Sequence, residues 1–244
     1  RVRCFGGLRL ERKGAALPAP RWKRKKAQEL FLLLLFRPGY AIPKEQAVDI
    51  LYGDADPAKA ANHLYVAIYE INRALRESCG APESAALRDG VVALLDDVVE
   101  EVDVEKYETL IRVADHLYSA QPELSVELYE KAAELYGELL PNRPYVEWLS
   151  RLRDELEIKQ FRALERLAES ARKRGEAERE GRFLRERVEL APLQEDAVQA
   201  LLRYYVREGR NADAVRLYET FERRLAAEFG CAPLPETERI VRGL

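Results

Sequence analysis

The chain of 244 residues contains no methionine and has only three cysteines and two histidines. Cys4, Cys79 and Cys231 are odd in number and far apart, which excludes the cysteine spacings of a zinc site and indicates a reducing compartment, the cytoplasm. His63 and His116 have no neighbouring cysteine or carboxylate pair, so we expect no bound metal. Because the chain starts at Arg1 and lacks methionine throughout, we expect it to be a piece of a longer protein.

Long apolar runs and catalytic motifs are also missing. The longest apolar run, Leu30 to Phe36, is too short to cross a bilayer, so we expect no membrane partner. Neither GxxxxGK nor GxGxxG occurs, and no Ser/His/Asp or Cys/His arrangement typical of nucleophilic catalysis is present. Adjacent acids such as Asp96 and Asp97 lie in a polar connection. We therefore predict that the protein is not an enzyme and needs no cofactor.

The net charge of −3 is divided unevenly along the chain. Lysines and arginines outnumber acidic residues by six in residues 1–95, whereas acidic residues are in excess by nine in the remainder. A basic head on an acidic body is typical of a protein whose first part meets a polyanion.

Residues 1–97 contain the elements of a winged helix in order. Alternating residues on both sides of Gly6-Gly7 predict a β-hairpin, and an alanine- and proline-rich connection follows from Ala15 to Pro20. We predict helices over Arg21–Phe36, Pro43–Tyr52 and Pro57–Arg76, and a second hairpin over Ala86–Arg88 and Val91–Leu95. The second and third helices, separated by Gly53-Asp54, form a helix-turn-helix candidate with Arg88 near the tip of the wing.

The predicted helix Pro57–Arg76 has two different faces. Asp56 is a suitable N-cap, and Pro57 suits the first helical position. An apolar stripe contains Ala61, Leu64, Ile68, Ile71 and Leu75, and the opposite face carries Lys59, Asn62, Val66, Tyr69 and Arg73. Such side chains can bond guanine, adenine or phosphate, or touch a thymine methyl group. The other interpretation is an ordinary amphipathic helix with a solvated mixed face.

A basic cluster marks the start of the predicted first helix: Arg21, Lys23, Arg24, Lys25 and Lys26. Cations at a helix N-terminus oppose the helix dipole, and a nearby phosphate would offset that cost. The alternative interpretation is a solvated basic loop.

Residues 98–244 are predicted to be helical throughout. The predicted helices are Val104–Ser119, Pro122–Tyr136, Glu147–Arg174, Glu176–Leu190, Glu195–Glu208, Asn211–Phe229 and Pro235–Val241. Gly175 and Gly209 lie at turns 34 residues apart, which is the period of tetratricopeptide repeats. We therefore predict a mainly α protein, with a winged helix-turn-helix over residues 1–97 followed by an all-α tetratricopeptide-like domain over residues 98–244.

Several short motifs resemble those of the SARP-type bacterial transcriptional activator domain family. They are Trp22, Lys26-Ala27-Gln28-Glu29-Leu30, the run from Lys59 to Tyr69, Tyr145-Val146-Glu147-Trp148, the run from Pro192 to Ala197, and the run from Glu228 to Thr237. The resemblance extends over essentially the whole chain. The sequence departs from the family pattern at Ala61 and Glu70, where family members commonly carry arginine or lysine. It also departs at Pro43, which replaces the serine that usually caps the second helix.

The resemblance implies a DNA-binding winged helix and a helical half for self-association as a homodimer, signal input or contact with RNA polymerase. It also implies attachment to a further signalling module. The expected contacts to double-stranded DNA are Lys23, Arg24, Lys25, Lys26, Lys44, Lys59, Asn62, His63, Val66, Tyr69, Arg73 and Arg88. The alternative hypothesis is a protein-interaction adaptor, in which the winged helix is structural and the helical groove binds a peptide or partner protein.

Overall fold

A computed structural model of the protein describes residues 1–53, 56–95, 97–143 and 146–244. The strands are β1 (Val2–Arg3), β2 (Arg9–Arg12), β3 (Ala15–Ala16), β4 (Ala41–Pro43), β5 (Ala85–Arg88) and β6 (Val91–Leu94). The α-helices are α1 (Lys25–Leu35), α2 (Lys44–Tyr52), α3 (Pro57–Cys79), α4 (Asp103–Leu117), α5 (Pro122–Leu135), α6 (Glu147–Lys173), α7 (Ala177–Leu190), α8 (Glu195–Arg207), α9 (Asn211–Phe229) and α10 (Pro235–Val241). Asp54, Asp96 and Tyr145, which belong to the sequence patterns above, lie outside the described residues.

The chain forms two compact units. The first contains Arg1–Thr109 and Leu135–Arg151, and the second contains Leu110–Glu134 and Leu152–Leu244. The first unit therefore includes residues beyond the predicted boundary at 97/98, and that boundary stays a prediction.

The N-terminal hairpin has one strand more than the sequence pattern predicts. Strands β1 and β2 pair antiparallel, with Val2 opposite Leu10, and β2 also pairs with β3. The prediction that Ala15–Ala16 belongs to a connection without a strand is wrong, because the backbone of these alanines pairs with β2. Two successive alanines show no alternation of apolar and polar side chains, so the sequence pattern does not indicate a strand there.

Asp103 attaches the N-terminal strand to the start of α4. Its buried carboxylate accepts hydrogen bonds from the backbone N–H groups of Cys4 at 2.9 Å and Phe5 at 3.0 Å. The Phe5 ring packs against Tyr107 and Tyr136. Burial, and secondarily the Asp103 carboxylate, raises the pKa of the Cys4 thiol well above its usual value, so this cysteine is a core residue and not a reactive thiol.

The winged helix is built around α1 and α3. Buried Leu30 and Leu34 of α1 and Leu64 and Ile71 of α3 contribute to its core. The sequence prediction placed the start of the first helix at Arg21, and the helix instead begins at Lys25. Only two cations of the basic cluster therefore lie in the first helical turn, which limits their unfavourable interaction with the helix dipole.

A third strand completes the wing. Strand β4, which the sequence analysis did not predict, pairs with β6 and gives the strand order β4-β6-β5. Pro43 belongs to β4, and α2 begins only at Lys44. The buried face of α3 also differs at one position from the predicted apolar stripe, because Ala60 is buried and Ala61 is only half-buried.

The second unit repeats one helix-ending turn. At the end of α6, Glu176 N–H donates to the Ala171 carbonyl, and Gly175 has a φ of 72°. At the end of α8, Arg210 N–H donates to the Tyr205 carbonyl, and Gly209 has a φ of 68°. Both are Schellman motifs, in which a left-handed residue favours glycine. The same motif recurs at the predicted 34-residue spacing, and the tetratricopeptide-like fold is confirmed.

Two negative findings hold for the described part of the chain. No helix there is both long and apolar enough to cross a membrane. The same residues contain no group of three or more histidine, cysteine or acidic side chains placed to hold a metal ion.

Candidate nucleic-acid interface

One face of α3 in the helix-turn-helix is exposed. Asp56 caps the helix by accepting a hydrogen bond from the Lys59 backbone N–H at 3.2 Å. The side chains exposed along this face are those of Lys59, Asn62, His63, Tyr65, Val66 and Tyr69. This arrangement places cationic, amide, apolar and phenolic groups on one side of a helix, as reading a major groove requires.

Two exposed tyrosines form part of this face, and only Tyr69 was predicted from the sequence. Tyr65 is 53% exposed and Tyr69 is 65% exposed. The Nζ atom of Lys44, at the start of α2, lies 5.8 Å from the centroid of the Tyr65 ring. The spacing of three residues from Asn62 and four from Tyr69 could have revealed Tyr65, because residues at these spacings share a helix face.

Arg73 differs from most of the other expected contact residues because its charge is already compensated. It donates hydrogen bonds to Glu70 at 2.7 Å and Glu77 at 3.1 Å, and its side chain is only 17% exposed. Its Nη2 also donates to the Arg21 carbonyl at 3.3 Å. The hydrogen bond with Glu70 raises the pKa of Arg73. Glu70 therefore does not present an unpaired negative charge beside the α3 face.

The start of α1 forms a basic cavity with parts of α2 and α3. Its volume is about 460 Å³, and its lining includes Arg24, Lys25, Lys26, Tyr52 and His63. No side chain caps this helix end, and its first turn contains no acidic residue. Free backbone N–H groups and nearby cations together favour a phosphate group.

The cations of this cavity are not equivalent. Lys26 forms an ion pair with Glu29 at 2.9 Å. Arg24 and Lys25 are exposed and have no ion pair with any described residue, and the same holds for Lys23, which lies outside the lining of the cavity. Burial raises the pKa of the Tyr52 phenol, so this wall of the cavity stays uncharged at neutral pH.

The wing is held to the helices by side-chain and backbone hydrogen bonds. Asn72 on α3 donates to the Ala85 carbonyl at 2.9 Å and accepts from the Ser84 and Ala85 N–H groups at 2.7 and 2.8 Å. The Lys44 N–H donates to the Gly90 carbonyl at 2.8 Å. These bonds fix the turn beside Arg88, which is exposed and has no ion pair within the described residues. The role of Asn72 was not predicted, because its partners are distant in sequence.

The N-terminal unit thus combines a three-helix core, a wing and exposed cations, while the rest of the chain is helical. A family model described as bacterial transcriptional activator domain matches residues 102–244, which is more than half of the chain. The chain belongs to the bacterial transcriptional activator domain family. Membership of this family of transcription regulators confirms the resemblance drawn from the sequence motifs.

A solved structure shares the fold of this family member over nearly its whole length. It is Mycobacterium tuberculosis EmbR in complex with a low-affinity phosphopeptide, with a TM-score of 0.71 and 17% sequence identity. The match covers 99% of this chain and 63% of the EmbR chain, so this family member spans less than two thirds of that chain. The likeness shows a common fold of winged helix and helical domain. A comparison with curated proteins gave no match.

Proposed function

We propose that the protein regulates transcription by binding double-stranded DNA, with α3 in the major groove. The observation that carries this proposal is the exposed face of α3, which lies beside cations that have no ion-pair partner among the described residues. Arg24 and Lys25 border His63 of α3 in one cavity, and Lys44 lies over Tyr65 of the same helix. Unpaired cations next to a polar helix face suit a phosphate backbone flanking a groove.

The residues on α3 have complementary roles in this proposal. Asn62 forms paired hydrogen bonds with adenine, and Val66 contacts a thymine methyl group. Lys59 bonds guanine or an adjacent phosphate. The hydroxyl groups of Tyr65 and Tyr69 donate to phosphate oxygens and orient the helix.

Backbone contacts come from the elements around α3. Lys23, Arg24 and Lys25 hold a phosphate at the start of α1, where backbone N–H groups also point outward. Lys44 holds a second phosphate at the start of α2, and Arg88 on the wing holds a third. Arg73 acts by neutralising Glu70, so its contribution is indirect.

The helical half has one or more of the roles implied by the family, which are self-association as a homodimer, signal input or contact with RNA polymerase. A dimer would place two winged helices on one operator, which increases both affinity and specificity. We infer that the chain acts as the effector part of a longer signalling protein.

Selection of binding sites from a random DNA pool at near-physiological salt tests the proposal. We expect an enriched motif for the unmodified chain, and a loss of about tenfold in affinity for that motif on Asn62→Ala, the cost of one paired base contact. Asn211→Ala is the matched control, because this asparagine is exposed in the second unit. No enrichment by a folded protein would contradict the proposal and favour the adaptor hypothesis.

A further inference from the structure

The second unit contains a cavity that the DNA-binding proposal does not use. Helices α6, α7 and α8 enclose about 450 Å³, a volume typical of ligand sites. Five arginines line it: Arg166, Arg172, Arg187, Arg203 and Arg207. Although residues 96–244 are acidic as a whole, this cavity is basic.

The glutamates of the cavity compensate only part of this charge. Three line it, and each has an arginine partner: Glu180 with Arg207 at 2.6 Å, Glu169 with Arg166 at 3.6 Å, and Glu165 with Arg187 at 3.3 Å. The lining side chains alone sum to a net charge of +2, but Asp196 and Glu236, which lie outside the lining, also bond to Arg187 and Arg203. Arg203 pairs with exposed Glu236 on α10, and the side chain of Arg172 has no ion pair or hydrogen bond with any described residue.

The guanidinium of Arg187, which has a buried donor without an acceptor among the described residues, gives a separate indication that the cavity binds an anionic ligand. Its side chain is only 5% exposed, and its guanidinium lies 4.0 Å from the centroid of the Phe161 ring. Both of its hydrogen bonds, to Asp196 at 2.6 Å and Glu165 at 3.3 Å, are donated by Nη2. The Nε donor is buried without a partner in the described chain. A buried donor without an acceptor is unfavourable, so an incoming anionic group would be stabilised here.

The apolar part of the wall suggests the size and type of ligand. Leu184, Ala200 and Tyr204 lie among the arginines. Tyr204 packs directly against Gly181 of α7, where a Cβ atom would overlap the phenol ring, so glycine is required for this close approach. A ligand that alternates carboxylates with aliphatic groups matches such a wall. Planar arginine side chains bind carboxylates through paired hydrogen bonds.

We propose that this cavity binds an acidic segment of a partner protein. Aspartate or glutamate carboxylates of the segment meet Arg172, Arg187 and Arg203, and its aliphatic side chains contact Leu184 and Ala200. An extended chain is the ligand that open helical-repeat surfaces commonly hold. The proposal is independent of DNA binding, because the first unit contributes no residue to the cavity.

Fluorescence anisotropy of a labelled peptide that alternates glutamate and leucine tests this site in the full 244-residue chain. We expect saturable binding, weakened about tenfold or more by Arg172→Gln/Arg203→Gln. The control Arg223→Gln/Arg224→Gln removes the same charge from the exposed surface of α9 and should retain affinity within about twofold. Arg172→Gln alone, at an exposed unpaired residue, should fold normally and weaken binding about threefold.

Three further probes separate the ligand classes. A peptide with glutamine in place of every glutamate should not bind, and inorganic phosphate should not displace the acidic peptide. Equal losses in the cavity variant and the α9 control would overturn the proposal. Tight binding of the glutamine peptide would also overturn it, as would binding of a phosphoserine peptide alone. None of these outcomes affects the DNA selection, so the two proposals fail separately.

Discussion

Several exposed cations of the winged helix and several arginines of the second unit are in opposite situations. Arg24, Lys25 and Lys59 are exposed and lack ion-pair partners among the described residues. In the second unit, carboxylates hold Arg179, Arg187, Arg203, Arg207, Arg210 and Arg216. An unpaired cation is available to a polyanion, whereas a paired one contributes to the internal structure of its own unit. The net charges of the two regions therefore do not show how many of their cations are available to a polyanion.

The largest effect is expected where a paired cation is removed. Glu180 has a side chain only 6% exposed, and Arg207 is its partner. Arg207→Ala leaves this buried carboxylate uncompensated and should lower the free energy of unfolding by about 3 kcal/mol. Urea unfolding followed by circular dichroism measures it. Arg216→Ala is the control, because Asp213 keeps its bond from Arg210, and it should change stability by less than about 0.5 kcal/mol. Equal stability of the two variants would contradict the conclusion that the pair of Arg207 with Glu180 stabilises the second unit.

The next effect concerns unpaired cations and should appear in DNA binding alone. Arg24→Ala/Lys25→Ala removes exposed charges at the start of α1, so affinity for the selected DNA should fall about tenfold at near-physiological salt. The slope of log affinity against log salt should become shallower by about two units if each cation contacts one phosphate. Salt-dependent anisotropy titrations measure both quantities, and urea unfolding should show unchanged stability.

Arg12→Ala/Lys13→Ala is the matched control for that variant. These neighbouring cations are also exposed in the first unit, but they border a cavity with Leu75 and Cys79 at the opposite end of α3. A similar loss of affinity in this control would mean that binding depends on total charge and not on the start of α1.

A smaller effect separates direct from indirect roles of Arg73. Because Arg73 compensates Glu70, Arg73→Gln should weaken DNA binding about threefold by leaving Glu70 to repel phosphate. The double variant Glu70→Gln/Arg73→Gln removes both charges and should recover most of that affinity. Failure of the double variant to recover would instead indicate a direct phosphate contact by Arg73. Anisotropy with the selected DNA distinguishes the two results.

The smallest effect is a pH dependence within the helical half. Hydrogen bonds from Lys173, and secondarily from Tyr118, lower the pKa of Glu169 from its ordinary value of 4.5. The folded state therefore binds this proton more weakly than the unfolded state. The resulting stabilisation is present above pH 4.5 and is lost as the pH falls through the lower folded-state pKa. Glu169→Gln should make the unfolding midpoint less sensitive to acid, and an unchanged acid profile would contradict this assignment.

The helices and the main turns were predictable, because local patterns specify them. Asp89-Gly90, the two residues that connect the strands of the second hairpin, and the apolar periodicity of α3 were sufficient to place the wing and the helix that follows Asp56. Strands β3 and β4 were missed, since Ala15–Ala16 and Ala41–Pro43 form strands only by pairing with partners elsewhere. The start of α1 was placed four residues too early, because basic residues before a helix have the same charge pattern as basic residues inside it.

The candidate interface was predictable at the level of the helix, but less so residue by residue. Lys59, Asn62, Val66 and Tyr69 are exposed as expected, and their contacts with DNA stay predictions. Tyr65 was overlooked. The neighbours of Arg73 explain why its exposure was misjudged: Glu70 and Glu77 lie three and four residues away, a spacing that permits pairing without requiring it.

From the sequence we could predict the family, the order of the helices and the 34-residue spacing of Gly175 and Gly209, because local motifs and periodicity specify them. Only the tertiary structure decided which charges are free. It showed that Asn72 holds the wing, that Asp103 accepts bonds from the residues that follow β1, and that arginines of α6, α7 and α8 meet in one cavity. Ion pairs and hydrogen bonds depend on distances through space, and residues far apart along the chain acquire those distances only when it folds.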